Sequence, residues 1–223
     1  MKDTFLFDLD GTIMDSKYGI VSSFRHCFKY AYEKTKRSEF LLNTDEELLQ
    51  FVGPSLDATF YGYCKCNEEE HDEFIKVFRA YYREKGIYDA KVFEGIKEVL
   101  EFLHSKGKRL VVCTSKFEEM AYKVLDHFDL TKYFTLIVGS LDEVRNTKDL
   151  VIKEAIRALD IDKEKAIMIG DKIYDIEESK INGIESIGCL FGYGSLEEFK
   201  EATYKVNSTK ELLELVSKLC EEN

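Results

Sequence analysis

The sequence predicts an α/β fold, with a parallel sheet, helices on both faces and a helical insert after the first strand. Residues 4–7 are apolar or β-branched without alternation, which is typical of a strand buried on both faces. Residues 15–87 show helical periodicity and no convincing strand, whereas strands and helices alternate from residue 88 onward. We therefore expect a discontinuous, Rossmann-like core of residues 1–14 and 88–223.

The insert is predicted to contain four helices. They cover residues 16–36, a stretch from Thr44 to Gly53, residues 56–63 and residues 67–84. Glu47 stands at the capping-box position relative to Thr44, which favours a helix start there. Pro54, the only proline in the chain, requires a break at the Gly53-Pro54 turn, and Gly86 is expected to end the last helix.

The core is predicted to contain four more strands separated by amphipathic helices. The strands are expected at residues 109–113, 136–139, 166–169 and 186–190. One of the intervening helices is expected to begin at Lys148, because apolar residues then recur at helical spacing at Val151, Ile152, Ala155, Ile156 and Leu159. Parallel strands joined in this way bring their carboxyl ends to one edge of the sheet.

The net charge of −11 argues against binding to nucleic acid polymers or anionic membranes, which call for basic surfaces. An anionic substrate would need positive charge supplied locally by a few lysines and main-chain amides. No apolar run approaches the length of a membrane span, and residues 1–3 do not open a signal peptide. We expect a cytoplasmic protein.

The cysteines and histidines do not form a metal-binding pattern. Cys64 and Cys66 are the only closely spaced pair among six cysteines, and their spacing is too tight for a zinc knuckle. We expect reduced thiols, mostly in the core. The four histidines lie in helical patterns away from the motifs below, which favours structural roles.

Two carboxylates, Asp8 and Asp10, follow the first strand directly. Paired oxygen ligands there suit a hard divalent cation such as Mg²⁺. A carboxylate nucleophile beside a carboxylic acid/base also suits phosphoryl transfer through an aspartyl-phosphate. A solvated turn at Asp10-Gly11 explains this stretch equally well when it is taken alone.

Polar residues also follow other predicted strands. They are Thr114 and Ser115, Lys148 at a helix start, and Asp171 and Asp175. Each has a simpler explanation by itself; Ser115 with Glu118, for example, would form a capping box. Their joint placement at strand ends is hard to explain by turns and caps, and it indicates a single site.

These residues resemble the motifs of the haloacid dehalogenase superfamily. The four motifs read Asp8-Leu9-Asp10-Gly11-Thr12, Thr114-Ser115-Lys116, Lys148, and Gly170-Asp171-Lys172-Ile173-Tyr174-Asp175. The insert is similar to the small α-helical cap of that superfamily. The residues 51–56 and 187–194 resemble its phosphoglycolate phosphatase-like and 5′-nucleotidase-like members.

The resemblance implies a Mg²⁺-dependent phosphatase for a small phosphorylated metabolite. It implies that Asp8 is the nucleophile and Asp10 the general acid/base, and that Thr114, Ser115 and Lys148 bind phosphate. It also implies a metal held by Asp8, the Asp10 carbonyl and Asp171, with Asp175 as an outer ligand or a partner of Lys148.

The third motif departs from the pattern, because Asp149 follows Lys148 where many relatives have proline. Lys116 and Lys172 therefore remain alternatives for the phosphate-neutralising lysine. Arg145, in the same loop, could contact phosphate or lie solvated on the surface.

Three other classes of function are open to a protein with this fold. Asp10 disfavours dehalogenases and phosphonatase-like members, which do not need an acid at that position. A sugar-phosphate mutase would need Asp10 but also a histidine soon after it, which residues 13–19 lack. The third class is a non-catalytic phosphate-binding protein.

The substrate stays open among phosphoglycolate, a nucleoside monophosphate, pyrophosphate and a sugar phosphate. Arg25, Lys65 and the Gly53-Pro54 turn are possible determinants of substrate specificity.

Overall fold

A computed structural model describes residues 1–42, 44–52, 56–141 and 144–221. The chain divides into two compact units, one of Met1–Asp15 with Lys91–Asn223 and one of Ser16–Ala90. The first unit is discontinuous, and its bounds differ by a few residues from those expected. The predicted Gly53-Pro54 turn lies outside the described residues.

The unit of Ser16–Ala90 is helical in its described part. Its helices are α1 (Lys17–Thr35), α2 (Asp45–Leu49), a π-helical segment (Ala58–Tyr63) and α3 (Glu68–Glu84). The predicted capping box is present, since Thr44 Oγ1 accepts from the Glu47 N–H at 3.2 Å and the Glu47 carboxylate accepts from the Thr44 N–H at 2.9 Å. Gly86 does not end α3; it begins a 3₁₀ turn, Gly86–Tyr88, after Lys85.

Aromatic rings form the core of this helical unit. Phe24 and Phe28 of α1 contact each other with centroids 5.7 Å apart, and both are buried. The rings packed around them are Phe40, Phe51, Phe60, Phe74 and Phe78. Cys27 and Cys64 fill the same core, and all six cysteines of the chain are free and buried, as expected.

Among the described residues, no helix has the length and apolar character needed to span a bilayer.

The other unit is built on a six-stranded parallel sheet with strand order β5-β4-β1-β6-β7-β8, which confirms the predicted fold class. The strands are β1 (Thr4–Phe7), β4 (Arg109–Phe117), β5 (Leu136–Ser140), β6 (Ala166–Gly170), β7 (Glu185–Cys189) and β8 (Tyr204–Val206). Two short strands, β2 (Met14–Asp15) and β3 (Lys91–Val92), pair antiparallel in a separate ribbon. Strands β2, β3 and β8 were not expected from the sequence.

Five helices accompany the sheet: α4 (Ile96–Ser105), α5 (Glu118–His127), α6 (Lys148–Leu159), α7 (Ile173–Ile181) and α8 (Thr209–Glu221). The start of α6 at Lys148 is confirmed, with Thr147 as its N-cap. The Ser115–Glu118 capping box is not formed, because Phe117 is the N-cap of α5 and its side chain accepts no capping hydrogen bond. The Glu118 carboxylate instead accepts from the Gly139 N–H at 3.1 Å and pairs with Arg145.

The central position of β1 determines where the site forms. Its last residue, Phe7, lies beside Val112 of β4 and Ile169 of β6. The chain passes from β1 to β4 and β5 on one side and then returns to β6 on the other. Ligands bind at such a reversal, beyond the carboxyl ends of the strands, in open α/β sheets. The residues that follow β1, β4 and β6 are therefore brought together.

Candidate active site

Three carboxylates cluster at the carboxyl edge of β1 and β6. Asp8, Asp171 and Asp175 each place a carboxylate oxygen within 4.8 Å of the other two, and their exposed fractions are 7%, 0% and 1%. Asp8 follows β1, and its N–H donates to the carbonyl of Ile169 in β6 at 2.9 Å. The register of the sheet thus joins the first and fourth sequence motifs.

Lys148 is the lysine of this cluster. Its side chain is buried, and its Nζ lies 2.5 Å from Asp8 Oδ1, 2.7 Å from Asp175 Oδ1 and 2.8 Å from the Cys113 carbonyl oxygen. The contacts with Asp8 and the Cys113 carbonyl are hydrogen bonds, and the contact with Asp175 is an ion pair. Of the two alternatives, Lys116 pairs with Asp10 at 2.8 Å and Lys172 pairs with Glu198 at 2.9 Å.

The charges of this cluster do not balance. Burial raises the pKa of Asp8 to about 7, against the opposing charge of Lys148. Burial, followed by the charges of Asp8 and Asp175, raises the pKa of Asp171 well above its usual range. Burial works against the charged form of Lys148, but Asp175 and Asp8 outweigh it and raise the lysine pKa.

If all three carboxylates are ionised, the single ammonium leaves two negative charges uncompensated, and this excess is part of the reason that the pKa values of Asp8 and Asp171 are raised. A divalent cation with oxygen ligands would compensate these two charges, which fits Mg²⁺. Asp175 Oδ2 accepts from the Lys172 N–H at 2.9 Å, and Asp175 Oδ1 lies 2.7 Å from Lys148 Nζ in an ion pair. This geometry favours the role of Asp175 as a partner of Lys148.

Asp171 is oriented by two groups to which the sequence analysis assigned no role. Thr12 Oγ1 donates to Asp171 Oδ1 at 3.1 Å, and the Tyr193 N–H donates to Oδ2 at 2.8 Å. Both donors lie in quoted motifs, so the sequence carried the signal. Gly11, at φ +91°, comes so close that a Cβ there would lie 2.1 Å from Asp171 Oδ2. A Cβ at Gly192 would lie 2.4 Å from the Asp171 Cβ.

The remaining predicted residues lie at the ends of β1 and β4. Thr114 is buried, and its Oγ1 accepts from the Lys116 N–H at 3.1 Å, whereas Ser115 is exposed. Asp10 is outside the three-carboxylate cluster and forms an ion pair with Lys116.

Arg145 contacts β5 and the first residue of α5. Its Nε donates to the Gly139 carbonyl at 2.7 Å, and its guanidinium pairs with Glu118. The side chain is largely buried, which contradicts one of the two alternatives, that of a solvated surface arginine. In the helical unit, Arg25 pairs with Asp45 of α2.

The sequence matches the family of haloacid dehalogenase-like hydrolases over residues 5–189. The chain belongs to this family. The resemblance inferred from the motifs is thereby confirmed, as is the enzyme class at the level of the family.

Curated relatives with related activities cover most of the chain. A 5′-nucleotidase of Pseudomonas aeruginosa is 34% identical over 200 residues, which cover 87% of this chain and 86% of that protein. The phosphoglycolate phosphatase of Aquifex aeolicus is 34% identical, covering 86% of each protein. The pyrophosphatase PpaX of Halalkalibacterium halodurans is 31% identical, covering 96% of each.

Solved structures with this fold include proteins with other names. A predicted phosphatase from Clostridium acetobutylicum is 37% identical, with a TM-score of 0.87 over 98% of this chain and 99% of that chain. Protein tyrosine kinase A of Mycobacterium tuberculosis is 30% identical, with a TM-score of 0.81 over 96% and 98%. A β-phosphoglucomutase of Clostridium difficile, 21% identical with a TM-score of 0.74 over 99% and 97%, shares the fold.

Proposed function

We propose that the protein is a Mg²⁺-dependent phosphatase that hydrolyses a small phosphorylated metabolite through an aspartyl-phosphate on Asp8. The observation that carries this proposal is the buried contact of Asp8 with Lys148, beside Asp171 and Asp175. Phosphoryl transfer requires little covalent chemistry beyond the nucleophile, and it depends mainly on positioning and compensating charge. The names of the curated relatives agree with this activity.

In the first step, an oxygen of Asp8 bonds to phosphorus while the bond from phosphorus to the ester oxygen breaks. Lys148 keeps the Asp8 carboxylate in place and adds positive charge next to the incoming phosphate. Thr114 and the Ser115 amide would hold the phosphate oxygens. Both residues lie in β4, beyond the part of that strand that pairs with β1. Bound Mg²⁺ would supply further positive charge, with Asp8, the Asp10 carbonyl and Asp171 as the ligands.

Asp10 would act in both steps as the acid and then the base. It gives a proton to the departing ester oxygen in the first step. In the second step it takes a proton from the water that attacks phosphorus, and the bond between phosphorus and Asp8 breaks. The Asp10 side chain is 24% exposed, so it has the access to solvent and substrate that this role requires.

Metal removal tests the proposal directly. We expect EDTA to abolish phosphate release from a panel of phosphorylated metabolites and Mg²⁺ to restore it. Without the cation, the raised pKa values of Asp8 and Asp171 favour their protonated forms, and an anionic phosphate lacks the positive charge it needs beside Asp8. Mg²⁺ should also raise the melting temperature of the wild type, and it should raise the melting temperature of Asp171→Asn much less. Full activity in metal-free protein would contradict the proposal.

Asp10→Asn should lower turnover by about 10²-fold or more, because a positioned acid/base contributes on that scale. We expect the free energy of unfolding to fall by only about 1 kcal/mol, since the ion pair with Lys116 is partly open to water on the Asp10 side. Steady-state kinetics and urea unfolding measure the two effects. Wild-type turnover in Asp10→Asn would remove Asp10 from this role.

The same panel separates phosphatase activity from the other functions considered. A mutase would form a new phosphate ester without releasing phosphate, and a phosphate-binding protein would show saturable binding without turnover. Either result would replace the proposal, and the phosphorylated metabolite that turns over best would define the substrate class.

A further inference from the structure

A second ion pair, partly buried, lies at the same edge of the sheet. Lys116 Nζ is 2.8 Å from Asp10 Oδ2, and only 7% of the Lys116 side chain is exposed. An ammonium is strongly hydrated, so its burial is costly unless an acidic partner and hydrogen bonds compensate. The fold therefore places Lys116 where the charge of Asp10 stabilises it.

The irregular end of β4 sets the position of Lys116. Between Cys113 and Phe117 this strand advances by four residues, while β5 advances by two, from Val138 to Ser140. Such a bulge removes residues from the regular ladder and redirects their side chains. Within it, the Lys116 N–H donates to Oγ1 of the buried Thr114 at 3.1 Å, which anchors the lysine main chain.

The two lysines therefore pair with different carboxylates. The three contacts of Lys148 are with Asp8, Asp175 and a main-chain carbonyl, whereas Lys116 contacts Asp10. We propose, on the basis of the phosphatase function above, that Lys116 is a positioning residue that holds Asp10 where it can protonate the leaving group. Nothing in the proposed chemistry requires Lys116 to touch the substrate.

This role makes a specific demand on the first step. As phosphorus bonds to Asp8, the ester oxygen leaves and takes the proton of the protonated Asp10, and the carboxylate that remains pairs with Lys116. A benzyl alkoxide is strongly basic and needs that proton, whereas p-nitrophenolate is a stable anion and hardly needs it. Displacing Asp10 should therefore slow the cleavage of an alkyl ester selectively, and a purely structural defect would slow both esters alike.

The test compares benzyl phosphate with p-nitrophenyl phosphate, which are similar in size. With the full chain in excess over substrate and Mg²⁺ present, we would measure the first-turnover release of benzyl alcohol and p-nitrophenol. Lys116→Met should reduce benzyl alcohol release by about 10²-fold and p-nitrophenol release by less than about 3-fold. Lys116→Arg, which keeps the charge, should recover about 10-fold of the benzyl loss.

Lys123→Met is the matched control, because this lysine of α5 is partly exposed and pairs with Glu119, one turn away in the same helix. It should leave both rates unchanged. Thermal melting verifies folding, and Lys116→Gln replaces Lys116→Met in the same comparison if the methionine variant does not fold.

Two outcomes would overturn the inference alone. These are equal losses for both esters, or unchanged benzyl alcohol release, in a wild-type background that cleaves both. A wild type that releases neither benzyl alcohol nor p-nitrophenol would overturn the phosphatase function and the inference together.

Discussion

Asp8→Asn is expected to abolish phosphate release, with a loss on the order of 10⁵-fold, because the nucleophile itself is removed. The asparagine amide has almost the shape of the carboxylate but cannot form a stable acyl-phosphate. Its oxygen remains a possible ligand, so weak Mg²⁺ binding should persist. Steady-state kinetics and a Mg²⁺ titration followed by melting temperature measure these effects.

Trapping the intermediate makes this prediction specific to covalent catalysis. Acid quenching of the wild type during turnover should leave one phosphoryl group on Asp8, detectable by intact mass and removed by hydroxylamine. Beryllium fluoride should inhibit the wild type by mimicking the acyl-phosphate. Asp129→Asn is the matched control, because this carboxylate is exposed and its left-handed backbone, at φ 56°, suits asparagine. Phosphate release by Asp8→Asn at the wild-type rate would exclude Asp8 as the nucleophile.

Lys148→Met is expected to have the second largest effect. Methionine keeps the length of the side chain but removes the positive charge between Asp8 and Asp175. Turnover should fall by about 10³-fold, as for other groups that stabilise developing charge. The free energy of unfolding should fall by about 3 kcal/mol, because breaking a buried ion pair leaves the carboxylates uncompensated.

Mg²⁺ distinguishes this charge effect from a packing defect. The variant has one more uncompensated negative charge than the wild type, so Mg²⁺ should raise its melting temperature more. Lys153→Met, on the exposed face of the same helix α6, is the matched control and should change neither turnover nor stability appreciably. Equal stabilisation of Lys148→Met and wild type by Mg²⁺ would argue against the charge explanation.

Much of the fold follows from local sequence patterns. Residues 4–7 are apolar or β-branched without alternation, and they form strand β1, which pairs with β4 on one side and β6 on the other. Thr44 with Glu47 specifies a helix start through main-chain hydrogen bonds that involve only nearby residues. Motif spacing after parallel strands was sufficient to predict that Asp8 and Asp171 meet, because strand ends share one edge of the sheet.

The short strands and the edge strand could not be predicted from the sequence. The ribbon of Met14–Asp15 with Lys91–Val92 has two residues in each strand, and these strands are far apart in the chain. The edge strand Tyr204–Val206 has only three residues. Periodicity needs a longer stretch to be recognised, and pairing between distant segments has no local signature.

The sequence by itself determined the chemistry available to this protein, namely carboxylates, hydroxyls and lysines placed after the strands of a parallel sheet. Only the tertiary structure decided how their charges are paired. Lys148 pairs with Asp8 and Asp175, and Lys116 pairs with Asp10, although the motifs alone allowed either lysine to neutralise phosphate. The reason is physical: Lys148 and Asp8 are 140 residues apart in the chain, and the sheet register and the start of helix α6 set the distance between them.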